Sequence, residues 1–208
     1  RGHVPEAAQK YAHPIGTAWD CRLHGLETRL FDAHGFGSRR ATREFLRWAE
    51  DWKPDVAHLH NLHGYYLQVE ELFAFLKANG LPVVWTLHDC WAFTGHCAYF
   101  SGAGCGRWRE GCRSCPLTRE YPACYGFSNV SRNYARKKAA FTGVKELTLV
   151  TPSRWLADLT RQSFLREYPV RVIPNGIDLT QFRPMQSGIR EKLGIPAEKR
   201  LVLGVANV

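Results

Sequence analysis

The sequence holds a single methionine, Met185, in 208 residues, and does not begin with one. It contains no apolar run near the ~18 residues that a membrane-spanning helix requires. The first residues lack the basic-then-apolar pattern of a secretory signal. Lys and Arg outnumber Asp and Glu by 28 to 19 but never gather into a long block. Internal repeats and low-complexity tracts are also missing. These absences argue against a membrane-embedded protein and against a polycationic tail. They favour a piece of a longer chain that works in the cytoplasm.

What is present is globular. The chain is 45% hydrophobic and 12% aromatic, enough to bury a core over one domain or a little more. A net charge of +9 favours anionic partners: phosphorylated small molecules, an anionic membrane surface or nucleic acid. No helix-turn-helix or RNA-binding signature appears, so nucleic acid is the least favoured.

Seven cysteines is an odd number for a disulfide framework, in a chain too large to need one. Five fall between His88 and Pro116: Cys90, Cys97, Cys105, Cys112 and Cys115. Cys97, Cys105, Cys112 and Cys115 are separated by seven, six and two residues, and the Cys-Arg-Ser-Cys pair can form a metal knuckle. Four thiolates would make a closed, structural zinc site, with His96 as an alternative ligand. Free or disulfide-bonded thiols are the other reading. A catalytic zinc of the deaminase type is excluded, because no Glu follows His88 at the needed place and Pro116 follows the Cys pair instead of preceding it.

Strand patterns alternate with helical ones. Strands are expected at 55–60, 82–87, 147–150 and 170–173, and again in the terminal RLVLGVANV. Helices are expected at 21–31, from an N-cap at Ser38 to about Trp52, at 66–78 closed by Asn79-Gly80, from Ser128, at 153–163 and near 189–193. Short Val/Ile/Leu strands between helices predict an α/β fold, a parallel sheet covered on both faces.

In such sheets ligands bind beyond the carboxyl ends of the strands. His60, Asn61 and His63 leave the first strand there, and His88 and Asp89 leave the second. If the strands are parallel neighbours, these residues converge. His58 shares a strand face with His60 and reads as a core histidine. The basic helix after Ser128 carries Arg132, Arg136, Lys137 and Lys138, a solvated face or a surface for an anionic lipid or phosphorylated acceptor. SGAGCGR follows no strand and lacks the Lys-Ser/Thr of a phosphate-binding loop.

VIPNGIDLTQFRP, at 172–184, is similar to the interdomain signature of family 4 glycosyltransferases, the retaining GT-B enzymes. VTPSRWLADL at 150–159 resembles the strand and helix preceding that signature. DVAHLHNLHGYY, TLHDCWAFTGHC and the cysteine-rich loop resemble a bacterial subgroup that builds exopolysaccharide or lipopolysaccharide. The resemblance runs from about Asp20 to Val208.

The resemblance implies a Rossmann-like N-terminal domain at 1–173, incomplete at both ends, with a cysteine-rich insertion at 88–124. An interdomain connector would follow at 174–199, and 200–208 would be the first strand of a truncated C-terminal donor domain. It implies transfer of a sugar, with retention, from a nucleotide-sugar donor to a lipid-linked or polysaccharide acceptor. His88 would face the reacting sugar, as the catalytic position. His60, Asn61, His63, Asp89 and Ser153 would line the substrate side, and Asn175 and Gly176 would form the hinge. Peripheral association with the inner face of an anionic membrane would suit a lipid-linked acceptor. Two other functions remain open: a zinc-stabilised module that binds an anionic polymer or membrane surface, and a GT-B-type epimerase acting on the nucleotide sugar.

Overall fold

The structure is a computed structural model that describes residues 4–185 and 187–204. The chain divides between Pro174 and Asn175 into two compact units. The first contains α1 (Glu6–Gln9), α2 (Ala18–Phe31), α3 (Arg39–Trp52), β1 (Ala57–Leu59), α4 (Val69–Ala78), β2 (Val83–Thr86), α5 (Val130–Phe141), β3 (Leu147–Thr151), α6 (Arg154–Arg161) and β4 (Val170–Val172). The second contains the short helix α7 (Ile189–Lys192). It also has a turn in which Asp178 Oδ1 accepts the backbone N–H and hydroxyl of Thr180, at 2.8 and 2.6 Å. Of the expected terminal strand, Leu201–Gly204 have no strand pairing and 205–208 lie outside the described residues.

The four strands form one parallel sheet in the order β1-β2-β3-β4, with Ala57 opposite Val83, Val83 opposite Leu147 and Leu149 opposite Val170. This is the expected α/β, Rossmann-like architecture. α4 and α5 pack against one face of the sheet. Trp85 marks that face: its ring lies 5.3 Å from Phe73 of α4 and 4.9 Å from Phe141 of α5. Val83, Leu147 and Leu149 are buried as well. Each large side chain so buried contributes about 1.5–3 kcal/mol. On the alternate positions Val84, Thr86 and Thr148 are half-buried, and His58 is exposed. His58 is therefore not a core histidine; β1 is an edge strand, and the His58 ring reaches the Thr86 hydroxyl at 3.0 Å.

Local chemistry sets the helix ends. α2 starts three residues before the expected Cys21 because Thr17 and Asp20 form a reciprocal capping box. Ser38 does precede α3, but in the left-handed region (φ 55°), and its hydroxyl is turned to His24 Nδ1 at 3.0 Å instead of capping the helix. α4 starts after Gln68, whose side chain accepts the Glu71 N–H at 2.7 Å.

The long excursion from Leu87 to Asn129 carries three short 3-10 turns, at Trp91–Phe93, Ser101–Ala103 and Arg107–Arg109. Its cysteines do not make the expected zinc clamp. Among the described residues, no group of three or more His, Cys, Asp or Glu is arranged to hold a metal ion. Cys97 and Cys112 are instead buried in the apolar core, with Cys105 and Cys115 packed against it. The hydrogen bond from Cys97 lowers the Cys115 pKa to about 6, and the Leu117 N–H, 3.3 Å from its sulfur, helps. His96, the alternative ligand, is bonded through Nδ1 to Asp32 Oδ1 at 2.6 Å.

Other contacts hold the excursion. Trp108 is wedged between Phe93 and Phe100. Gly95 packs so tightly on the Val130 carbonyl that no side chain fits there. Lys137 of α5 is fully buried: its ammonium donates to the carbonyls of Trp91 (2.8 Å) and Thr94 (3.1 Å) and sits 3.6 Å from the Trp91 ring centroid. Lys137 therefore leaves the expected basic surface. Arg136 leaves it too, forked onto Glu70 at 2.7 and 2.6 Å, so only Arg132 and Lys138 of those four are exposed.

Burial brings the Lys137 pKa down to about 7, against the attraction of Asp32. Unfolding restores the ordinary lysine value, so the unfolded chain binds more protons above pH 7 and stability rises with pH there. Between pH 7 and 8.5, urea unfolding is expected to show a wild-type stability gain that Lys137→Met lacks. The difference between the two proteins should change by up to about 1.4 kcal/mol per pH unit. Parallel curves for both proteins would contradict the burial of a titrating ammonium.

Candidate functional site

The loops after β1 and β2 meet at the carboxyl edge of the sheet. Parallel pairing with Leu59 opposite Trp85 places His60 beside the end of β2, and His60 Nδ1 lies 3.1 Å from His88 Nε2. One of the two nitrogens carries the shared proton. The rings are stacked with centroids 5.4 Å apart, and His58 stands 4.4 Å from His60. Burial, and then the neighbouring His58 and His88 rings, hold the His60 pKa below the ordinary imidazole value. Both His60 and His88 are exposed, so this pair presents imidazole to solvent.

Behind the pair lies a second arrangement. Asp89 is buried and held by the Trp91 N–H, which donates to Oδ1 at 2.8 Å. Its Oδ2 lies 2.8 Å from His63 Nε2. A carboxylate only accepts, so Nε2 bears the His63 proton and Nδ1 is left as an acceptor. The Tyr121 hydroxyl, 3.3 Å from Nδ1, fills it. Asp89 thus orients an imidazole whose other nitrogen faces a hydroxyl, the arrangement of a carboxylate–histidine dyad. Asn61, His63, His88 and Asp89 all line one small cavity, with Trp85, Trp91 and Ala92 among its walls.

Five of the expected site residues are therefore brought together: His60, Asn61, His63, His88 and Asp89. Ser153 is not among the residues lining that cavity. Its hydroxyl caps α6, accepting the Leu156 N–H at 3.3 Å. Asn175 and Gly176 are exposed and belong to the second unit.

Three nearby residues escaped the sequence reading. Tyr121 belongs to the excursion, where the cysteines drew attention to metal. Tyr65 follows Gly64 and takes a left-handed φ of 59°. His34 lies between α2 and α3, 2% exposed, with its ring 5.3 Å from His63 and 4.8 Å from Tyr65. Only the neighbouring Gly35 and Gly37 hinted that this backbone runs close to something. Gly35 (φ 83°) packs directly on the Trp91 indole.

The family model for glycosyltransferase family 4 matches residues 7–181. The chain belongs to glycosyltransferase family 4. The family 4 match takes in the whole sheet and every residue of the cavity. The chain is also similar to an Escherichia coli (strain K12) protein named as a colanic acid biosynthesis glycosyl transferase, WcaC, with 34% identity over 159 residues. That match covers 73% of this chain and 38% of WcaC. No solved structure matches the chain significantly.

Within this family 4 chain, Asp89 is the group on which the local geometry turns. Asp89→Ala strips two buried donors, the His63 ring and the Trp91 N–H, of their acceptor. It is expected to cost roughly 1.5–3 kcal/mol by denaturant unfolding, with Asp89→Asn costing less. An Asp89→Ala protein as stable as wild type would show that the dyad is not formed in solution.

Proposed function

We propose that the chain is the acceptor-side part of a retaining glycosyltransferase. In the whole protein, a sugar passes from a nucleotide-sugar donor to a lipid-linked or polysaccharide acceptor of a bacterial exopolysaccharide. Membership of family 4 and the name of the E. coli relative support this reading. The observation that carries it is the exposed His88, braced by His60 at 3.1 Å above a cavity lined by Asn61, His63 and Asp89. The match covers 38% of that relative's length, so the activity, donor and acceptor of the whole protein are part of this proposal.

On this reading His88 donates a hydrogen bond to the reacting sugar, and His60 fixes which of its nitrogens carries the proton. Asn61 completes a polar rim, and the His63–Asp89 dyad offers an acceptor nitrogen to an incoming hydroxyl. Asn175 and Gly176 form the hinge through which the acceptor and donor sides close. Ser153 serves the site indirectly, by holding α6 at the end of β3. A cytoplasmic site of action, peripheral to an anionic membrane, fits a lipid-linked acceptor, with Arg132 and Lys138 as exposed cations.

Full-length enzyme carrying His88→Ala is expected to lose about 10²–10³-fold in kcat/KM, as when one preorganised donor is removed from a transition state. Anomeric NMR of the product should show retention. Undiminished transfer by His88→Ala would remove the catalytic assignment.

The pH profile provides a second check. Burial and the neighbouring rings hold the His60 pKa below the ordinary imidazole value, so acidification reaches the doubly protonated pair, in which neither ring can accept and the contact is lost, only on the acid side. Transfer should decline on the acid side, and His60→Gln should flatten that limb. An identical acid limb in both proteins would separate the pair from catalysis.

A further inference from the structure

His34 is the least explained polar group in the first unit. It is 2% exposed, yet among the described residues neither Nδ1 nor Nε2 has a hydrogen-bond partner. The backbone of His63 is close, but that contact falls outside hydrogen-bond geometry. A buried polar group without a partner is costly, and in a native structure it asks for a reason. Burial, with the nearby His63 and Lys137, keeps the ring neutral, so it offers one N–H donor and one lone pair. A sugar hydroxyl is the complementary group, since it both accepts and donates.

The surroundings point to the same ligand class. His34 is ringed by His63, Tyr65, Trp91 and Tyr121, with centroids 4.8–5.6 Å away. Aromatic walls with a few convergent polar atoms are the usual lining of small-molecule sites. The cover is thin. Tyr121 is 48% exposed, and besides ring contacts with His34 and His63 its side chain is held by the 3.3 Å hydrogen bond with His63 Nδ1. Tyr65, the other wall, has the left-handed backbone that non-glycine residues rarely adopt and that recurs at ligand clamps. Rotating the Tyr121 side chain would uncover His34 and free His63 Nδ1 together.

We propose that His34 and His63 form a hydroxyl-binding subsite for an uncharged sugar residue of the acceptor, closed by Tyr121, whose phenol stands where a sugar hydroxyl binds. The subsite rests on the glycosyltransferase reading and gives its acceptor side a specific contact. Asp89 bonds His63 Nε2 and leaves Nδ1 for the sugar. The neutral His34 adds a second hydroxyl contact from the opposite wall. The nearby carboxylate of Asp89 disfavours an acidic sugar.

Ligand-observed saturation-transfer NMR on the full-length protein tests this, with methyl α-D-glucopyranoside, methyl β-D-galactopyranoside and methyl α-D-mannopyranoside as probes. At least one is expected to receive saturation from the wild type. Tyr121→Ala should tighten its binding about threefold by removing the competing phenol. His34→Phe keeps the aromatic packing but removes both nitrogens. It should weaken binding about fivefold or more while melting no lower than the wild type, because the unpartnered atoms are gone. His34→Gln, which restores a donor and an acceptor, should recover part of the binding. The subsite is overturned if no glycoside receives saturation from either the wild type or Tyr121→Ala. It is equally overturned if His34→Phe, or His34→Leu should the Phe variant not fold, changes melting without changing sugar binding. Sugar transfer from a nucleotide sugar is measured in parallel. Transfer without glycoside binding removes the subsite alone, whereas glycoside binding without transfer removes the transferase reading.

Discussion

The first unit depends on one buried carboxylate. Asp32 closes α2 in a left-handed conformation (φ 55°) and is 1% exposed. Its Oδ1 holds His96 of the excursion and its Oδ2 accepts the Asn129 N–H at 3.1 Å, just before α5. Its carbonyl accepts from Asn133. The end of α2, the excursion and the start of α5, far apart in sequence, are thus tied together at one residue. A charge so deeply placed is tolerable only when fully partnered, and losing one partner would leave it uncompensated. The Lys137 ammonium attracts it from the same region, and itself clamps the Trp91 and Thr94 carbonyls. The excursion is therefore anchored by buried polar groups from outside it.

That anchoring gives the site its geometry. Trp91 is held from below by Lys137, and its N–H holds Asp89. Asp89 orients His63, and His63 meets Tyr121, which returns from the far end of the same excursion. The exposed His60–His88 pair sits at the outer edge of this chain of contacts. A rigid interior and an open rim suit a site that must hold its polar groups still while a substrate comes and goes.

The α/β class was legible because strands 57–59, 83–86, 147–151 and 170–172 read as short apolar runs between helical patterns. The strand-end residues were legible for a topological reason: once β1 and β2 are parallel neighbours, His60 and His88 have to meet at the same edge. Cysteine spacing misled. Spacing counts how many residues separate two thiols, whereas ligation depends on how the thiols are arranged in space, and Cys97 and Cys112 are buried in the core with no metal-holding group found among the described residues. Lys137 misled for a similar reason, since a basic run on a helix reads as surface until packing shows which face is covered.

The sequence by itself determined the alternation of elements, the family motifs and the set of polar residues at the strand ends, because these follow from local pattern and from the fixed direction of a parallel sheet. The tertiary structure alone decided that Asp32 would be the knot, that Lys137 would lie inside and that His34 would face His63 and Tyr121. Each of those depends on contacts between residues tens of positions apart. No periodicity records such contacts, since they are selected by the free energy of burying a charge or an imidazole among the particular partners that folding brings to it.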